Sequence, residues 1–241
     1  ICACLVGSEM CIRDRDIWPK HLDNQYKNLK PGNEDTVFYF QGSSLLARPS
    51  GHFNSQNPEE NVLIYPQYDE FVQGIKSSYG DKAVDNFEFI YLLSIDEEHF
   101  FLARKTGSLE RGTFLGEMAD SAVHKDMYSF VRGYEFIGVD SFRKAQPREH
   151  AYAAITAFHL YGWYRDNHFC GRCGKPLKHD DKQRMLRCYC CKNMVFPKIC
   201  PAVIVAVTDK DRILLTKYAG RTYRNYAPVS YTHLTLPTNS L

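Results

Sequence analysis

The chain has 241 residues, 44% hydrophobic and 14% aromatic, enough apolar mass for one large core or two small ones, so disorder is excluded as the starting expectation. Thirty Lys and Arg against 28 Asp and Glu leave a formal charge of +2; no chain-wide field grips a polyanion, and any nucleic-acid surface must be local. The longest apolar run, Pro201 to Val207, is strand-sized and far short of the roughly 18 residues a membrane helix needs.

In chain order, the first 15 residues, ICACLVGSEMCIRDR, have no clean periodicity, and they meet Glu9, Arg13, Asp14 and Arg15 too early for a signal peptide. Together with the last 14, PVSYTHLTLPTNSL, they resemble translated linker, so 1–15 and 228–241 are expected to be non-native and to bury no apolar face. Cys2, Cys4 and Cys11 therefore carry no weight. Residues 16–145 read as a mixed domain dominated by antiparallel strands. Its expected strands are Val37–Phe40 and Leu45–Arg48 around a Gly-Ser turn, Val62–Tyr65 stopped by Pro66, two runs around an acidic turn at Asp96–Glu98, and "YEFIGVDSFR". Ser50–Asn61 is expected to be a long loop.

At Pro147 the period changes. Ala151, Ala154, Ile155, Phe158 and Tyr161 fall on one helical face, predicting a connecting helix of about five turns over 146–167. Residues 168–200 then hold six of the nine cysteines. Cys170-x2-Cys173 and Cys188-x2-Cys191, 14 residues apart, suit two knuckles that present four thiolates to one tetrahedral zinc. Gly171 and Gly174 are expected to supply the positive φ that such knuckles need. Four protein ligands close the shell, so the Zn2+ is structural; Cys190 is a spare thiol, and Cys200 is too far from either pair. Paired thiols of this kind point to a reducing, cytoplasmic setting rather than to disulfides. From Cys170 to Cys200 eight Lys or Arg face two Asp, formally +6, and a zinc with four thiolates leaves +4. After the ribbon, "AVIVAV" and "RILLTKY" read as strands around a polar turn at Thr208–Asp211. The overall expectation is an α+β chain.

"FCGRCG" after a helix ending "WYRDNH", a second CxxC, "FPKICPAVIVAV" and "DRILLTKYAGRTYRNYA" resemble the zinc-ribbon NADH pyrophosphatase family of the Nudix hydrolases, over roughly Asp16 to Ala227. The resemblance implies an N-terminal domain, a zinc ribbon with Cys170, Cys173, Cys188 and Cys191 as ligands, and a Nudix domain that starts at 201–227. It implies hydrolysis of NAD(H) to nicotinamide mononucleotide and AMP by a homodimer with Mg2+ or Mn2+, and for some members action on NAD-capped RNA. It makes Phe196 a substrate neighbour where the family usually has Tyr, and puts Gln183 where a Glu is common. The Nudix signature G-x5-E-x7-R-E-U-x-E-E-x-G-U (U aliphatic) carries the catalytic cations on its glutamates. None of the 15 glycines here has Glu six positions later, so no catalytic residue is expected in this chain, and the Nudix domain reads as truncated. Its strand pair would then expose Val203, Val205, Ile213 and Leu215 and make the chain poorly soluble. The alternative is a non-catalytic zinc-ribbon module that binds nucleic acid; a third reading is a structural dimerisation fragment.

Overall fold

The computed structural model describes residues 20–51, 62–106, 129–198, 203–205, 208–215 and 229–231, with side chains for all of these except 143–144, 203–205 and 229–231. Cys2, Cys4, Cys11 and Cys200, the centre of the Ser50–Asn61 loop and residues 216–228 lie outside the described residues. The chain forms two units, 1–197 and 198–241.

In the first unit, successive residues of a strand feed two different cores, as a pleated strand buried on both faces requires. Strand β2 (Thr36–Gln41) puts Phe38 and Phe40 into the larger cluster and Val37 and Tyr39 into the smaller one. This is why the strands read as near-continuous apolar runs. The sheet is mixed and seven-stranded, in the order β1 (Leu22–Asp23), β5 (Phe87–Ile95), β6 (Glu98–Lys105), β2, β3 (Ser44–Pro49), β4 (Leu63–Ile64), with β7 (Glu135–Gly138) beside β3. Among the described strand pairs only β2 with β6 is parallel; an isolated parallel bridge joins Val62 to Gln146. A register shift between Tyr91 and Leu93 lets the consecutive Leu92 and Leu93 enter the same cluster, the local rotation a bulge allows.

Helix α1 (Tyr68–Tyr79), which the sequence reading left without an element, covers the smaller cluster with Phe71 and Ile75. Helix α2 (Arg148–Asp166) starts two residues inside the expected 146–167, with Pro147 at its N-cap rather than in its first turn, and covers the larger cluster with Ala151, Ala154, Leu160, Tyr161 and Tyr164. It packs across the sheet and so belongs to the core besides connecting it to the ribbon. "YEFIGVDSFR" is a strand only as far as Gly138; Val139–Lys144 is a 3-10 turn.

In the second unit, β11 (Val203–Val205) pairs antiparallel with β14 (Val229–Tyr231), and β12 (Thr208–Asp209) with β13 (Arg212–Ile213) in a hairpin. β14 falls within the segment set aside as linker; whether that segment buries an apolar face lies outside the described side chains. Ile213 and Leu215 are exposed, as expected, whereas the side chains of Val203 and Val205 are not among those described.

Candidate metal centre

Two chain reversals with the same hydrogen bonds build the centre. In the first, Cys170 N–H donates to the Lys175 carbonyl at 2.8 Å and Gly174 N–H to the Cys170 carbonyl at 2.8 Å. In the second, Cys188 N–H donates to the Asn193 carbonyl at 2.8 Å and Lys192 N–H to the Cys188 carbonyl at 2.9 Å. The residue one past the second cysteine takes a left-handed backbone in both, Gly174 at φ 71° and Lys192 at φ 61°. Gly174 thus has the expected positive φ; Gly171 does not, and in the second knuckle a lysine takes the strain.

A three-stranded ribbon carries the knuckles: β8 (Lys178–His179), β9 (Leu186–Arg187) and β10 (Met194–Val195), with β9 in the middle. Asp180 shapes the β8–β9 loop. Its carboxylate accepts the Lys182 N–H at 3.0 Å and the Gln183 N–H at 3.2 Å and meets Arg187 Nε at 3.0 Å, and these donors, Lys182 first, hold its pKa below the ordinary value. Gln183 therefore serves the loop through its backbone, and its residue is exposed.

The four Sγ atoms lie within 4.8 Å of one another, with Cys170 and Cys191 3.6 Å apart and Cys173 and Cys188 3.4 Å apart. A tetrahedral ion with Zn–S near 2.3 Å places its sulfurs about 3.8 Å apart, so the cluster is compatible with structural Zn2+. Burial opposes ionisation of Cys170, but N–H groups of Arg172 and Cys173 and the Asn193 amide outweigh it and lower the thiol's pKa. Cys188 falls too, through the N–H groups of Cys191 and Cys190. Cys173 is favoured by the Lys175 N–H, yet the adjacent Cys188 sulfur pushes it up; Cys191, favoured by the Asn193 N–H, is pushed up by burial and by the Cys170 and Cys188 sulfurs. Each close pair thus holds one group that ionises easily and one that resists. A dication removes that conflict by taking all four as thiolates. Cys190 is exposed between the second pair and stands outside the cluster.

Phe196 follows β10. Val195 packs against the larger cluster while Met194 and Phe196 point outward, the alternation of a strand, and Phe196 is 48% exposed. It is not a core residue. Three residues that spacing did not single out complete the surroundings. Asn193 donates to Cys170 Sγ at 3.5 Å. Arg184 donates from Nη2 to the Leu92 carbonyl of β5. His179, ring to ring with Tyr26 at 5.3 Å and Tyr164 at 5.6 Å, is kept neutral-leaning by burial. The repeated pattern C-x2-C-[GK]-[KN] could have flagged position 193; Arg184 and His179 carry no local signal, because Leu92 lies 92 residues from Arg184, and Tyr26 lies 153 residues from His179 with Tyr164 beyond any helical or strand period.

The fold and centre define a mixed α+β protein with a four-cysteine ribbon. No family model matches the chain. Over 55 residues it is 38% identical to the NAD-capped RNA hydrolase NudC of Pseudomonas aeruginosa, covering 23% of this chain and 20% of that protein. The same-named hydrolase of Salmonella typhi is 36% identical over 59 residues, covering 24% and 23%, and that of Pseudomonas putida 40% over 55, covering 23% and 20%. The chain is thus partially homologous to these hydrolases, and the match spans about a fifth of their length. No helix among the described residues is long and apolar enough to cross a membrane.

Proposed function

We propose that the chain is the ribbon-bearing part of a Nudix NAD(H) pyrophosphatase that splits NAD(H), or the NAD cap of an RNA, into mononucleotide products. The observation that supports this reading most is the identity of 36–40% to hydrolases named for NAD-capped RNA. In it Cys170, Cys173, Cys188 and Cys191 hold one structural zinc, which supplies folding energy and no chemistry because no coordination position stays open. Phe196, exposed beside the ribbon, offers a ring face to the substrate. Mg2+ or Mn2+ would act through glutamates of a Nudix signature, which these 241 residues do not contain. The intact enzyme would be a cytoplasmic homodimer.

The test has two arms. The zinc-loaded chain, given NADH with Mg2+ or Mn2+, is expected to release no AMP, and a sequencing read of the gene across the Ala227 codon is expected to continue in frame into the glycine and glutamates of the signature. AMP release by this chain, or a frame without the signature, overturns the reading.

One observation favours a second reading. Phe169, Tyr189, Met194 and Phe196 are all exposed on a ribbon that carries eight Lys or Arg, and Lys178 lies 6.0 Å over the Tyr189 ring. Stacking faces among cations suit single-stranded nucleic acid. A binding constant independent of salt removes this reading.

A further inference from the structure

Four sulfurs close enough to share an ion are also close enough to react with one another, and burial decides how. Cys170 and Cys188 are 2% and 0% exposed, whereas Cys173 and Cys191 reach solvent. Two sulfur contacts each join one of either kind across the knuckles, Cys173 to Cys188 at 3.4 Å and Cys191 to Cys170 at 3.6 Å. A disulfide is about 2.05 Å long, so each pair has roughly 1.5 Å to close.

Access favours the first knuckle. Cys173 lies between Arg172 and Gly174, both exposed, and a Cβ on Gly174 or on the exposed Gly171 would meet nothing within 4 Å. A small oxidant therefore reaches Cys173 from solvent, while Cys188 is shielded. Zinc ligation keeps a sulfur in its thiolate form, and oxidation selects thiolates that solvent can reach. A solvent-accessible sulfur with a second sulfur in contact is the arrangement that resolves oxidation as a disulfide before it proceeds to sulfinic acid.

We propose that the centre is a redox switch in which a peroxide closes Cys173 onto Cys188, then Cys191 onto Cys170, and the ion is released. This rests on the reading that the four cysteines hold zinc; it goes beyond the pyrophosphatase reading, since no substrate takes part. The Cys173 thiolate attacks one oxygen of hydrogen peroxide, the O–O bond breaks, and the departing hydroxide takes a proton to become water, leaving Cys173 as sulfenic acid. The Cys188 thiolate then attacks the Cys173 sulfur, the S–S bond forms as the S–O bond breaks, and the second hydroxide leaves as water with another proton. Two thiolates thus lose two electrons, and one peroxide is reduced to two waters. Loss of two of its four ligands frees the ion. The cross-links join residues 15 and 21 apart and tie one knuckle to the other, so the ribbon stays closed until a dithiol reductant restores the ligand set. Cys190 is exposed but stands outside the cluster and takes no part.

The test uses the zinc-loaded full chain, with zinc content measured first, hydrogen peroxide as oxidant, a chromogenic zinc chelator as reporter, and peptide mapping by mass spectrometry after alkylation. Zinc is expected to leave as the Cys173–Cys188 disulfide forms, with Cys170–Cys191 following and dithiothreitol plus zinc restoring the starting state. Cys190→Ser is expected to change neither the rate of release nor the map. Zinc retained under peroxide, disulfides within a knuckle (Cys170 with Cys173, Cys188 with Cys191), sulfinic acid in place of disulfide, or a slower release on Cys190→Ser overturns the switch and leaves the zinc reading standing. A chain that binds no zinc at the outset overturns both.

Discussion

Position 192 breaks the symmetry of two otherwise equivalent knuckles. Both reversals close through the same pair of backbone hydrogen bonds, and both need a left-handed residue after the second cysteine. Gly174 meets that need without a Cβ, whereas Lys192 carries a side chain into a region that disfavours it. Lys192→Gly is therefore expected to raise stability by about 0.5–1 kcal/mol, and Gly174→Ala to lower it by about 1 kcal/mol or more. Chemical denaturation of both zinc-loaded variants checks the pair; equal and opposite to expectation, or no change in either, would mean that the metal rather than the backbone sets the knuckle conformation. The cysteine cluster was legible in the sequence because metal ligation imposes a local spacing that little else imitates. Arg184 and His179 were not, since each acts through a partner the chain reaches only after folding, whereas Asn193 sits at a repeated position after its cysteine pair.

Among the elements that pattern reading left out, α1 is the longest, and the reason is physical. Only Phe71 and Ile75 of "YDEFVQGIKSSY" are buried, one i, i+4 pair in 12 residues, and Val72, Gly74 and Ile75 are poor helix formers. Its start is fixed by Glu70, whose carboxylate accepts the Gln67 N–H at 3.1 Å, but a Gln at that position is not among the usual capping residues. The parallel pairing of β2 with β6 was equally unreadable, because about 60 residues separate the strands and both also make local hairpins. By contrast α2 was legible: Pro147 and a clear 3.6 period announce it. Gly74 explains how α1 lies so near the chain at Phe130. A Cβ there would sit 2.7 Å from the Phe130 carbonyl oxygen and 3.0 Å from Val131 Cγ2, and neither the backbone oxygen nor the buried valine can yield cheaply. Gly74→Ala should accordingly destabilise by about 1–3 kcal/mol despite alanine's better helix propensity. A neutral or stabilising result in urea denaturation would show that α1 slides on its seat, leaving Phe71 and Ile75 loosely held.

At the scale of the molecule, the ribbon is not a separate bead on the chain. Leu186 of β9 belongs to the same buried cluster as the sheet and α2, with Leu177 and Val195 packed against it. Arg184 reaches from the ribbon to a β5 carbonyl, and the rings of Tyr26, His179 and Tyr164 meet tilted across the seam. Structural zinc contributes about 10–16 kcal/mol in small metal-dependent folds, as much as the whole stability of a typical domain, roughly 5–15 kcal/mol. If the centre holds zinc, its loss must therefore propagate through that shared packing into the sheet. Trp163 reports on this, being one of two tryptophans and buried in the shared cluster, and far-UV dichroism reports on the helices. With one zinc per chain the two signals are expected to change together in urea. After chelation both midpoints should fall, because the ribbon's apolar residues no longer shield the end of the sheet. If instead Trp163 and the helices keep their midpoint while only ribbon signals vanish, the seam contacts are too weak to couple the parts. The zinc would then stabilise the ribbon alone, and the sheet would stand on the apolar packing of α1 and α2.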